Sequence, residues 1–195
     1  MHGGPEKVEK AVWPQPFPYV TNLDKAKALM AEAGFANGFE TTLGLDTGTA
    51  TVGEPTAILI AETLGKIGIT LTTRNINDPY QFIFTPKEQT PMSGTAGWGK
   101  DYADAFTYYL YLFDGRVITP DFSYNEPLMG LTEEQAKEIG IDYPAEGVPS
   151  VDDGIDECIA IADDAERTTC WGNLDKTIME EGVPWIPWLW RNYTN

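Results

Sequence analysis

The sequence predicts an α/β protein built on a mixed sheet with flanking helices, and three observations predict it. Phe39-Glu40-Thr41-Thr42-Leu43-Gly44-Leu45 alternates in the manner of a strand. Ile69-Thr70-Leu71-Thr72-Thr73 reads as a second strand, with the β-branched residues that strands favour. Between them lies a helical segment, 55–67, opened by Pro55 at a first helical position and closed by Gly68. Strand, helix and strand with short joins imply a right-handed βαβ unit and a parallel pair.

The other elements follow in chain order. Residues 1–21 carry Pro5, Pro14, Pro16 and Pro18 and read as an extended lead-in. Its Met1-His2-Gly3-Gly4 lacks the apolar core of a signal peptide and reads as an artificial start, from which any native export signal has been removed. Residues 22–195 read as one α/β lobe. Asn22 caps a helix to about Ala33, with Ala26, Leu29, Met30 and Ala33 on its apolar face and Gly34 as its stop. In the helix at 55–67 the expected apolar face is Ile58, Leu59, Leu64 and Ile67. Asp78 is expected to start a short helix through Phe84. Met92 to Trp98 reads as a weak strand, with glycines where a ligand or another backbone can approach. A helix or turn spans Asp104 to Phe113. Residues 114–150 form a long, mostly irregular insertion with one short helix from Thr132, where Gln135 completes a capping box. Ser150 caps a helix over 151–162, and Glu166 to Glu181 forms another. Two prolines keep Val183-Pro184-Trp185-Ile186-Pro187-Trp188-Leu189-Trp190 extended.

Composition narrows the function. The chain has 195 residues and 42% hydrophobic content, which suits a globular lobe with a sizeable core. Thirty acidic residues against thirteen basic ones give a net charge of −17, which argues against nucleic acid or an anionic membrane surface as partner. No apolar run approaches the length of a membrane span. The single histidine, His2, lies at the ragged start, which speaks against Ser-His-Asp or Cys-His catalysis and against histidine-based zinc sites.

Trp98-Gly99-Lys100-Asp101-Tyr102-Ala103-Asp104 is the segment that suggests chemistry. A tryptophan offers a flat apolar face and a carboxylate offers charge-assisted acceptors, so the group suits a cationic or amphipathic small molecule. The plain alternative is a turn, because Gly97, Gly99 and two aspartates are ordinary loop punctuation. Trp98 either stacks on a ligand or packs in the core. Tyr102, Phe106, Tyr108, Tyr109, Tyr111 and Phe113 are core residues by default. Asp104, just before an aromatic helical run, suits an N-cap. Two other classes of function compete with ligand binding. Asp101 and Asp104 form a candidate carboxylate pair for a hydrolase, although side chains three apart on one turn poorly flank a substrate bond. Trp185, Trp188 and Trp190 form a candidate strip for protein interaction, or a surface that packs on a lobe absent from this chain.

Asn22-Leu23-Asp24-Lys25-Ala26-Lys27-Ala28-Leu29-Met30-Ala31-Glu32-Ala33-Gly34-Phe35 resembles a stretch of the peptide/opine/nickel-type (family 5) solute-binding proteins of ABC importers. Gly38-Phe39-Glu40, Leu64-Gly65-Lys66-Ile67-Gly68-Ile69, Gly97-Trp98-Gly99-Lys100-Asp101-Tyr102-Ala103-Asp104 and Pro184-Trp185-Ile186-Pro187 are similar to further family segments, in the same order. Leu23 and Ala105 stand where the family pattern usually has proline. The resemblance implies one lobe, the C-terminal part, of a two-lobed periplasmic-binding-protein fold of type II-like form. It implies capture of a peptide or similar solute between two lobes, delivery to a membrane permease, and a periplasmic or membrane-anchored extracellular location. It implies no cofactor, no metal and no enzymatic reaction. Trp98, Asp101 and Tyr102 become the expected ligand-binding residues, because the Asp matching Asp101 pairs with the ligand's α-ammonium in peptide-binding relatives. For an exported protein, an even cysteine count favours a Cys158–Cys170 disulfide across a helical hairpin, against two buried free thiols.

Overall fold

The computed structural model describes residues 21–46, 54–78, 84–94 and 98–186, and these fall into two compact units, 21–94 and 98–186. The extended lead-in and most of the short helix expected from Asp78 lie outside the described residues.

The first unit carries the predicted βαβ unit. Its elements are helix α1 (Leu23–Glu32), strand β1 (Phe39–Asp46), helix α2 (Glu54–Gly65), strand β2 (Ile69–Ile76) and a short strand β3 (Met92–Ser93). The sheet order is β2-β1-β3. Both pairings are parallel, and β1 runs in register with β2 from Phe39↔Ile69 to Asp46↔Ile76. Gly38 and Gly68 sit just before the two strands at φ of +74° and +90°. A Cβ on Gly38 would fall on the Gly68 carbonyl, so only glycine lets the two strands start side by side. The register also sets Thr42 opposite Thr72, and their hydroxyls lie 3.0 Å apart.

The helices of this unit depart from expectation in their faces. Asn22 does cap α1, accepting the Lys25 N–H at 2.9 Å. No residue of α1 is buried, however, and Leu29 is exposed. In α2 the buried residue is Ala57, with Ile60 packed beside it, while Ile58 and Leu59 are exposed. The core is small, centred on Leu43 and Ala57 with Leu45, Leu71 and Met92 against them. A branched residue is therefore not enough to fix a face. The side that meets the sheet wins, and the sheet meets the small Ala57 side.

The second unit contains helix α3 (Phe106–Leu112), helix α4 (Glu133–Ile139), helix α5 (Asp152–Ala160) and helix α6 (Asp164–Thr177), which runs on into a π-helical turn at Ile178–Gly182. The predicted capping box is present at α4: Thr132 accepts the Gln135 N–H at 3.2 Å, and the Gln135 side chain accepts the Thr132 N–H at 2.9 Å. Ser150 receives the Asp152 N–H at the start of α5. Helix α6 begins earlier than the expected Glu166, because Asp163 accepts the N–H groups of Ala165 and Glu166, each at 3.0 Å. The expected extended end is also corrected at its start: Val183 is left-handed, with φ of 43°, and its N–H closes the π turn on Ile178. Residues 184–186 are non-helical, and Trp188 and Trp190 lie outside the described residues.

Apolar side chains of α3, α5 and α6 form the main core of this unit, with Ile155, Cys158, Trp171 and Ile178 buried in it. Cys158 and Cys170 form a disulfide that joins α5 to α6. Polar bonds fix the insertion onto this core. Buried Asp114 accepts from the backbone N–H and the guanidinium of Arg116, and Arg116 makes a two-pronged contact with Asp156 on α5 at 2.8 and 2.9 Å. Gly115 donates to Asp152. A Cβ on Gly115 would lie 2.5 Å from the Gly130 carbonyl oxygen, so the start of the insertion meets its middle backbone to backbone. No described helix is long and apolar enough to cross a membrane.

Two outcomes follow for stability. Replacing both Cys158 and Cys170 with alanine is expected to destabilise the second unit by about 2–4 kcal/mol, read as a lower urea midpoint, and the untreated unfolded protein is expected to titrate no thiol. The Arg116 guanidinium, by hydrogen bonding, holds the Asp156 carboxyl below its ordinary value. A folded-state value below the unfolded one gives stability that is present above about pH 4 and is lost as pH falls through the folded value. The urea midpoint of Asp156→Asn is therefore expected to fall less steeply on acidification than that of the parent.

Candidate functional site

The segment from Trp98 to Asp104 is held by the first turn of α3. Thr107 is wholly buried, and its hydroxyl donates to Asp101 Oδ2 at 2.9 Å while accepting the Asp101 N–H at 3.1 Å. The Thr107 carbonyl accepts from Trp98 Nε1 at 3.1 Å. One buried threonine thus fixes both the tryptophan edge and the carboxylate. Asp101 itself is exposed, and among the described residues no cation is paired with it.

Asp104 is differently employed. Its Oδ1 accepts the Phe106 N–H at 2.9 Å, the expected capping role, and its Oδ2 meets Arg167 Nε at 2.8 Å. Arg167 is held in turn by the Ile161 carbonyl and by Asp164. Both oxygens of Asp104 are thus occupied, one by a helix start and one by a guanidinium, so the two aspartates do not form a matched catalytic pair. Among the described residues there is no group of acidic, cysteine or histidine side chains that could hold a metal ion.

The aromatic residues divide. Tyr109 and Phe113 are core, as expected by default. Trp98 is half-buried, with its ring 5.2 Å from Tyr111 and 4.9 Å, edge to face, from Tyr124. Tyr102 is 48% exposed and is not core. Its phenol is raised by partial desolvation first and then by Asp104, Tyr111 and Asp101, so it remains a neutral donor at neutral pH. Trp185 packs on Phe113 at 5.0 Å, which turns at least this member of the C-terminal strip inward. Sequence reasoning missed Thr107, Arg167, Phe122 and Tyr124. A threonine within an aromatic helical run is a legible signal for an anchoring hydroxyl. The pairing of Asp104 with Arg167, 63 positions apart, has no local signal.

Comparison with known proteins gives consistent results. The family model described as "Bacterial extracellular solute-binding proteins, family 5 Middle" matches residues 3–120. Comparison with curated proteins gives no match. Among solved structures, the ABC transporter-associated periplasmic binding protein DppA of Helicobacter pylori, in complex with the peptide STSA, is similar with a TM-score of 0.66 and 21% identity, over 88% of this chain and 29% of its own. Clavulanic acid biosynthesis oligopeptide binding protein 2 gives 0.61 and 25%, over 83% of this chain and 27% of its own. The oligopeptide-binding protein AppA of Bacillus subtilis, in complex with a nonapeptide, gives 0.57 and 19%, over 89% of this chain and 33% of its own. The chain thus spans about three-tenths of the length of these structures, and the likeness is one of fold.

The anchoring role of Thr107 has a direct check. Thr107→Val keeps the shape and removes the hydroxyl, leaving the Asp101 N–H without its partner. It is expected to lower stability by about 1–3 kcal/mol and to speed hydrogen exchange at the Asp101 amide more than elsewhere in α3.

Proposed function

We propose that this chain, which belongs to the bacterial extracellular solute-binding proteins of family 5, is part of an extracytoplasmic binding protein that captures a peptide or similar small solute and delivers it to an ABC permease in the membrane. It carries out no covalent chemistry. Asp101 pairs with a cationic group of the ligand, an α-ammonium in a peptide, while Trp98 and Tyr102 cover the adjoining part. The rest of the ligand is covered by surface that this chain does not supply, and closure of the two surfaces is what the permease reads.

The observation that carries this reading is the state of Asp101. A carboxylate fixed by a buried hydroxyl and, among the described residues, paired with no cation has its orientation set before a ligand arrives. Such pre-organisation lowers the entropic cost of binding. In a closed site the pair is desolvated, and losing the carboxylate costs about 2–5 kcal/mol. On an open surface the same pair is worth about 1 kcal/mol or less. The magnitude therefore depends on burial by the second surface.

Calorimetry tests both halves, with the ligand identified by mass spectrometry of what the full-length protein retains. In that protein Asp101→Ala is expected to raise Kd about thirtyfold or more, the equivalent of the lower bound above. The 195-residue chain is expected to bind the same ligand far more weakly than the full-length protein does. Unchanged affinity in the variant would remove Asp101 from the site, and equal affinity of the shorter chain would place the whole site within it.

A further inference from the structure

We infer that Phe122 and Tyr124 extend the Trp98 ring into an aromatic platform that selects the group next to the ligand's cation, favouring an aromatic or bulky apolar one. The inference rests on the reading that Asp101 receives that cation.

The rings form a continuous series. Phe122 meets Tyr124 edge to face at 4.6 Å, Tyr124 meets Trp98 at 4.9 Å and Tyr111 at 5.9 Å, and Trp98 meets Tyr111 at 5.2 Å. The series is half-buried at its Trp98 end and opens outward, since Phe122 is 44% exposed. The Trp98 end shares an anchor with Asp101, because Trp98 Nε1 and the Asp101 carboxylate both bond to Thr107. The charge and the inner end of the platform are therefore anchored on one residue.

The loop that carries the outer rings is over-determined. Ser123 and Asn125 are wholly buried. The Asn125 side chain donates to the carbonyls of Asp114 and Met129 and accepts the Met129 N–H at 3.0 Å. Phe122 is pinned at both backbone groups: the Thr119 hydroxyl accepts its N–H and donates to its carbonyl. Leu128 stands at φ of 52°, a conformation that a leucine adopts only when its surroundings impose it. A solvated loop needs none of this. A loop that must hold two rings at fixed positions does.

The chemistry names the ligand group. Ring faces and edges favour another aromatic ring or a wide apolar group. A chain of net charge −17 repels anions, and the carboxylate beside the platform takes the cation. A small amine with a ring two or three bonds from its ammonium nitrogen satisfies both parts at once.

The test is an NMR titration of the 195-residue chain, which reads weak binding, with phenylalaninamide, alaninamide and N-acetylphenylalaninamide as probes. Phenylalaninamide is expected to bind about fivefold more tightly than alaninamide and to shift the ring signals of Phe122, Tyr124 and Trp98. Phe122→Ala is expected to bring that preference close to unity, and Phe122→Tyr to retain it. Asp101→Asn is expected to weaken both amines. Equal binding of the two amines, with both weakened by Asp101→Asn, overturns the platform and leaves the site at Asp101 standing. A preference that survives Phe122→Ala overturns it likewise. If the acetylated probe binds as well as the free amine, or if no probe shifts these residues, the cation site and the platform fall together.

Discussion

The site depends on one contact, the stack of Tyr109 on Trp171. The rings lie 4.8 Å apart at 19°, and the Tyr109 hydroxyl donates to the Trp171 carbonyl at 2.9 Å. This holds α3 against α6, and α3 carries Thr107, from which Trp98 and Asp101 hang. Burial, and then Asp175, push the Tyr109 phenol far up, so it remains a donor at every relevant pH. The contact has a cost, since Trp171 Nε1 is buried without a hydrogen-bond partner among the described residues. An unmet donor costs about 1–3 kcal/mol. Burying an aromatic pair of this size contributes more than that, with about 0.5–1.5 kcal/mol from the ring geometry itself. The stack wins, and α6 is placed by it.

The disulfide and the Arg167 contacts make that placement rigid in different ways. Cys158 is almost fully buried in the same core, so the bridge acts beside the stack and limits how far α5 and α6 can separate. Arg167 reaches the other way, from α6 to Asp104 ahead of α3, and closes the loop that contains Asp101. Its pair is about three-quarters buried on both sides, where an ion pair is far less screened than on the surface. Arg74 and Glu88, half exposed in the first unit, illustrate the contrast, because a pair like theirs contributes little. The two aspartates of one short motif thus receive opposite fates. Asp104 is used up in holding the loop, and Asp101 is left presented.

Local signals were strongest where local physics decides. The strand starts at Phe39 and Ile69, the parallel pairing, the Thr132–Gln135 capping box and the Asn22 cap are each set by residues within a few positions or by glycines that nothing else can replace. Helix faces were less legible. Leu29, Ile58 and Leu59 have the right spacing for a core face yet stand exposed. Spacing fixes which residues share a side. It does not say which side the sheet will meet. The start of α6 differs for another reason: Asp163, three residues ahead of the expected Glu166, caps the helix through the N–H groups of Ala165 and Glu166.

By itself the sequence determined the α/β class, the cysteine pair, the acidic character that excludes polyanions, and the motif around Asp101, because each depends on residue type and short spacing. Tertiary structure alone decided which aspartate is presented and which is consumed. That choice was made by Arg167 of α6 and Thr107 of α3, which meet the same loop because Trp171 packs on Tyr109. It also decided that Phe122 and Tyr124, read in the chain as part of an irregular insertion, stand beside Trp98. The physical reason is the same in each case. Side chains tens of residues apart meet only when packing of a shared core brings their backbones together, and no pattern along the chain encodes that meeting.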